Sequence, residues 1–145
     1  MKNLFTLILL AFALSASAQG NDKREQIKAL KTAFITTELS LTSDEAAKFW
    51  PVYNSFDEKQ FELKHQKMRA LGKKIEGIDS MSDKEALVVI NQMEDYEEEL
   101  FQNRRKLVSS LKSIISPVKI LKLKKAEDDF NRKLLRQYKE KGPRK

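Results

Sequence analysis

The sequence predicts an all-α protein of four helices built round a long antiparallel central hairpin. Three observations carry that expectation. Only four Gly and three Pro interrupt 145 residues, 34% of them charged, which leaves long stretches free of helix breakers. Apolar residues recur at helical spacing rather than in alternation. The segments Leu41-Thr42-Ser43-Asp44-Glu45 and Met81-Ser82-Asp83-Lys84-Glu85 both read as capped helix starts.

The N-terminus carries a different signal. Met1-Lys2-Asn3 is a short basic start, Leu4 to Leu14 is almost uninterruptedly apolar, and Ala16-Ser17-Ala18 is a small-x-small site. That is the pattern of a signal peptide over residues 1–18, with cleavage expected after Ala18 and export of the remainder. The apolar run falls short of the ~20 residues that a membrane span needs. With no Cys, neither a lipidated N-terminal cysteine nor a disulfide framework is available. Residues 19–141 are then expected to form a single all-helical domain, followed by a basic tail over 142–145.

Helix one should start near Asn21 or Asp22, carry Ile27, Leu30 and Phe34 on one side, and end near Leu39 or Ser40. Helix two opens where the Thr42 hydroxyl can accept from the Glu45 amide while the Glu45 carboxylate returns to the Thr42 amide. Leu41 is the staple residue against Ala46. Behind this cap Ala46, Phe49, Trp50, Tyr53 and Phe56 form one broad apolar face, the expected nucleus of the fold. The helix should run from Ser43 to about Glu76, roughly 50 Å at 1.5 Å per residue. Pro51 removes a backbone donor inside it, so a kink is expected there. Trp50, Phe61, Met68 and Ile75 make a second apolar ridge about 100° round, more than a two-helix hairpin needs.

Gly72 loosens this helix and Gly77 ends it. Helix three follows the Ser82–Glu85 cap, with Met81 as its staple residue. It carries Ala86, Val89, Ile90, Met93, Tyr96, Leu100, Leu107, Leu111 and Ile114 to an end near Ile115. Ser116 caps helix four, and Pro117 takes its first position, where a missing amide costs nothing. Ile120, Leu123, Phe130, Leu134 and Tyr138 give that helix a thin apolar stripe. Helices two and three, joined by a short turn, must be antiparallel neighbours. A turn near Asp79 and Ser80 sets residue i opposite roughly 159 − i. The acidic run Glu94, Asp95, Glu97, Glu98, Glu99 then lies beside Lys59, Lys64 and Lys67, each exposed pair worth ~0.2–1 kcal/mol. On the same register Arg104 and Arg105 lie near Asp57 and Glu58.

The formal net charge is +7, and its placement says more than its size. From Lys119 onward eleven Lys and Arg accompany four acidic residues, whereas residues 19–118 hold sixteen basic and seventeen acidic ones. The excess lies on helix four and the tail. Its lysines have no counterpart across the hairpin. That makes Lys122, Lys124, Lys125, Arg132, Lys133 and Arg136 candidates for a partner or client surface, together with Phe61 and Met68. A basic amphipathic helix also suits an anionic membrane surface.

Enzyme chemistry finds no footing. His65, the one histidine, lies off the main stripe between Lys64 and Gln66. A single imidazole with no thiolate falls short of a transition-metal donor set. No Ser-His-Asp set and no Gly-rich phosphate loop can be assembled. No catalytic residue, metal or cofactor is therefore expected. Nucleic acid is not the expected partner either, because no aromatics interleave the lysines of helix four.

These residues carry a family resemblance. Leu41-Thr42-Ser43-Asp44-Glu45 resembles the LTxxQ motif of the Spy/CpxP-like periplasmic proteins, with Glu45 where the motif has Gln. Ile115-Ser116-Pro117-Val118-Lys119 falls where that family's second copy would lie. Lys48-Phe49-Trp50-Pro51-Val52-Tyr53-Asn54, with Lys122 to Glu127 and Phe130 to Leu135, resembles a Bacteroidetes branch labelled sensors of ECF-type sigma factors. The resemblance covers nearly all the exported chain. It implies a periplasmic all-α protein whose long hairpins form a curved cradle, often as a homodimer, with Leu41, Thr42, Glu45, Phe49, Trp50 and Pro51 at its motif. The metal-responsive members rely on several histidines, and this chain has one.

The function expected from all this is an envelope-stress sensor that signals by binding a membrane regulator in an ECF-type sigma factor pathway. The alternative is an ATP-independent holdase for unfolded clients, with basic residues attracting the client and the Trp50-Phe61-Met68 ridge gripping apolar segments. A structural or membrane-associated helical protein is the third reading.

Overall fold

The computed structural model describes residues 22–142, which are helical almost throughout, with no strand among them. The expected signal peptide, its cleavage site and residues 143–145 lie outside the described residues. Helix α1 covers residues 22–39. Next come α2 (Ser43–Glu62), a π-helical turn (Leu63–Lys67), α3 (Met68–Ile75), a 3₁₀ turn (Ile78–Ser80), α4 (Asp83–Leu111) and α5 (Pro117–Glu140). The four expected helices are thus present, with the second divided into α2 and α3 by the π turn. Two compact units result: Leu41–Leu121, and the segments before residue 41 and after residue 121.

In the Leu41–Leu121 unit, α2 and α3 run alongside α4. Polar pairs across the seam fix the direction. Asn103 reaches Gln60, Lys67 reaches Glu99 and Lys74 reaches Gln92, so one helix is climbed as the other is descended. The register starts near the expected one, with the Asn103 amide on the Phe56 carbonyl, and drifts by several residues toward the turn. The π turn contributes to that drift, because it holds one residue more than an α turn would. Leu63, Leu71, Val89 and Tyr96 form the buried seam, and Met81 and Leu100 pack against it.

The α pattern of α2 continues on both sides of Pro51, and the departure from α geometry comes at Leu63–Lys67 instead. Gly77 does not take the left-handed conformation expected of a helix-ending glycine. Its φ is −92°, and the chain turns through the 3₁₀ segment. The residue that does take positive φ is Ser40 at the end of α1, at 49°.

In the other unit, Phe34 of α1 lies against Phe130 of α5 with ring centroids 5.8 Å apart, and the Lys133 ammonium sits 4.6 Å from the Phe34 ring centre. The expected face of α1 needs correction. Ile35 and Leu39 are the fully buried residues, whereas Leu30 is 59% exposed. Residues 35 and 39 are a helical neighbour pair, so the buried stripe is rotated one residue from Phe34. Leu123, Ala126 and Phe130 are buried on α5, as its thin stripe predicted for two of them, and Tyr138 is exposed.

Candidate functional site

The motif at the start of α2 is built as a cap, with a different second half. The Thr42 hydroxyl accepts from the Glu45 amide at 3.2 Å, as the sequence predicts. The Glu45 carboxylate, expected to return to the Thr42 amide, instead receives the Lys119 ammonium at 2.8 and 3.0 Å. A charge-assisted bond to an ammonium outweighs one to an amide. The second helix start closes fully. Ser82 accepts from the Glu85 amide and its own amide donates to the Glu85 carboxylate at 2.9 Å. Those Ser82 contacts, led by its backbone N–H, hold the Glu85 carboxyl below its ordinary range.

Lys119 follows directly on Ser116-Pro117, whose serine hydroxyl accepts from the Lys119 amide at 3.3 Å. The two segments that resemble motif copies are therefore brought together through Glu45 and Lys119. Both side chains are only about a quarter exposed. Leu41 is half-buried beside this pair in sequence, and behind it the aromatics stack: Phe49 on Tyr53 at 5.4 Å, Trp50 edge-on to both, Tyr53 against Phe56. Phe49 is fully buried, Trp50 half-buried and Pro51 exposed.

Further toward the turn the two sides of the hairpin differ. On one side Lys67 bonds Glu99, holding that carboxyl below its ordinary range, and Lys74 bonds Gln92. On the other side of the Leu71–Tyr96 seam, helical spacing places Met68 and Ile75 on α3 and Ile90, Met93 and Phe101 on α4. All five are exposed, from 39% at Ile75 and Met93 to 58% at Phe101. Phe61 is half-buried and stacks on the exposed His65, with ring centroids 4.2 Å apart. Met68 and Ile75 of the expected ridge thus share one side of the hairpin with exposed apolar residues of α4. Ile90 and Met93 belong to the apolar stripe that the spacing predicts for helix three, but both are exposed. The core face of α4 is narrower and runs through Val89, Tyr96, Leu107 and Leu111.

The basic residues of α5 also need correction, because most are not left over. Lys124 pairs with Asp128 at 3.1 Å and Lys125 with Asp129 at 2.6 Å, while Arg132 lies 3.9 Å from Asp129. Lys133 covers the Phe34 ring. The acidic partners of Lys124 and Lys125 lie one turn along the same helix rather than across the hairpin. Lys122 and Arg136 are exposed. Among the described residues no group of three or more His, Asp and Glu is placed to hold a metal ion, and no helix is long and apolar enough to cross a membrane.

Comparison with protein-family models, curated proteins and solved structures finds no match.

Proposed function

We propose that the protein is an exported regulator of envelope stress that works by binding another protein. The observation that supports this reading is the exposed apolar side of the hairpin at Met68, Ile75, Ile90, Met93 and Phe101. Exposed apolar side chains gathered on one side of a hairpin mark a surface that meets another molecule. The resemblance of Leu41–Glu45 and Lys48–Asn54 to Spy/CpxP-like sequences supports a periplasmic location and a link to an ECF-type sigma factor pathway. A curved cradle, a homodimer, a bend at Pro51 and contact of α5 with anionic lipid belong to the same reading.

One feature favours the holdase as second reading. Met68 and Met93 stand within the patch, and flexible, polarizable methionines suit a surface that receives many different apolar segments. Deleting the gene and following ECF-dependent transcription under envelope stress separates the two. A changed response supports the regulator; an unchanged response with more aggregated envelope protein leaves the holdase.

A further inference from the structure

Four methionines carry all the sulfur of this chain, which has no cysteine. Met1 lies outside the described residues, and Met68, Met81 and Met93 all stand in the half of the hairpin toward its turn. Two of them are open to water, Met68 at 49% and Met93 at 39%, on the side that also exposes Ile75, Ile90 and Phe101. Met81 is partly buried and packs against the cluster of Leu63, Leu71, Val89 and Tyr96. Met68 directly follows Lys67, which is tied to Glu99, and Met93 directly follows Gln92, which is tied to Lys74. The two ties are seven residues apart on either helix, so both exposed methionines belong to the same stretch of hairpin, about 10 Å long.

With no thiol to compete, the thioethers are the groups of this chain that a peroxide oxidises first. The sulfur lone pair attacks one oxygen of hydrogen peroxide, and the O–O bond breaks as the S–O bond forms. The second oxygen takes up the displaced proton and leaves as water. Methionine is thus oxidised by two electrons to its sulfoxide while the peroxide is reduced. The product is polar where the thioether was apolar, and a pair of reductases, one for each sulfoxide epimer, reverses the step. At Met81 a sulfoxide would press on the buried seam. At Met68 and Met93 it alters the open side and leaves the seam as it is.

We propose that Met68 and Met93 are reversible oxidation sites that regulate the open side of the hairpin: peroxide converts both to sulfoxides, and the surface loses its hold on an apolar protein segment. This rests on the reading of that side as a protein-binding surface. A partner that covers a methionine gains apolar contact with a polarizable, adaptable side chain. The same partner over a sulfoxide buries an oxygen to which it offers no hydrogen bond.

Treating the purified protein with hydrogen peroxide, and removing the excess with catalase, tests this. Peptide masses should show one added oxygen at Met68 and at Met93 at least fivefold faster than at Met81, with helical circular dichroism retained. Suppression of aggregation of a chemically unfolded client should fall at least fivefold and return after treatment with the two sulfoxide reductases. The double variant Met68→Leu, Met93→Leu, which keeps apolar volume and helix propensity, should suppress aggregation as the parent does and ignore peroxide. Absence of suppression by the unoxidised parent counts against the binding reading alone. In that case anilinonaphthalene sulfonate fluorescence reports the open side directly, and it should fall on oxidation of the parent and not of the variant. Oxidation of Met81 as fast as the other two, a peroxide effect that persists in the double variant, or an oxidised parent unchanged in both readouts would overturn the proposal.

Discussion

At the capped end of the hairpin Phe49, Tyr53 and Phe56 are shut away from water and Glu45 is clasped by Lys119; toward the turn, on the same pair of helices, Met68, Ile75, Ile90 and Met93 lie at least 39% exposed. The chain spends its largest side chains on closing one end and leaves apolar area open along one side of the other. Folding alone does not ask for the second arrangement, since those positions carry few buried contacts. The capped end accounts for stability and the open side is where binding is expected.

If that division is right, substitutions at the two ends should separate stability from binding. The largest effect belongs to Phe49→Ala, which removes a fully buried ring from the aromatic stack and should cost about 3–5 kcal/mol in denaturant unfolding. A value under about 1 kcal/mol would mean that the stack contributes little to the stability of this end. Next comes the link between the motif-like segments. Glu45→Gln and Lys119→Met should each cost about 1 kcal/mol, and the double variant should cost little more than either, since the partners share one interaction. Full additivity would dissolve the pair. Ser82→Ala removes a closed cap and should also cost about 1 kcal/mol.

Smaller effects run in the stabilising direction. Gly72 in α3 has open space where a Cβ would stand, so Gly72→Ala should raise stability by up to about 1 kcal/mol. Ser40→Gly relieves a left-handed serine and should gain a few tenths to about 1 kcal/mol. The smallest effect is on pH dependence. Glu85, Glu99 and Asp129 are held below the ordinary carboxylate range, chiefly by Ser82, Lys67 and Lys125 respectively. Their contribution is present above about pH 4 and is lost as pH falls through the lowered folded-state values. Glu85→Gln should therefore flatten part of the acid limb of the stability profile and leave neutral-pH cooperativity intact.

What the sequence made legible follows from local rules. The Ser82–Glu85 cap, the Ser116-Pro117 start and the Phe49–Phe56 face depend on residues within four positions of each other, and each is present. What it hid depends on competition or on long range. The Glu45 carboxylate takes the ammonium of Lys119, 74 residues away, beside the Thr42 hydroxyl rather than the Thr42 amide. The π turn at Leu63–Lys67 has no composition signal, and with it the register against α4 shifted. Lys124 and Lys125 had acids one turn ahead, and a count of charge along the segment could not show that pairing. The open apolar side is half-legible: Met68 and Ile75 stand out as a surplus ridge, while Ile90 and Met93 merge into the stripe of helix three, because a helical stripe alone does not reveal how much of its width is buried.

The most direct test of the central claim is aggregation suppression of a chemically unfolded client by the purified protein, with its unfolding midpoint measured alongside. A variant with Met68, Ile75, Ile90, Met93 and Phe101 changed to Ser removes the exposed patch and little of the core. The five helical serines lower Tm, at about 0.5 kcal/mol each for propensity alone, but the variant should remain folded at the assay temperature while suppression is lost. Suppression that survives in this variant, or that is absent from the parent at every ratio, would contradict a client-receiving role for the open side of the hairpin.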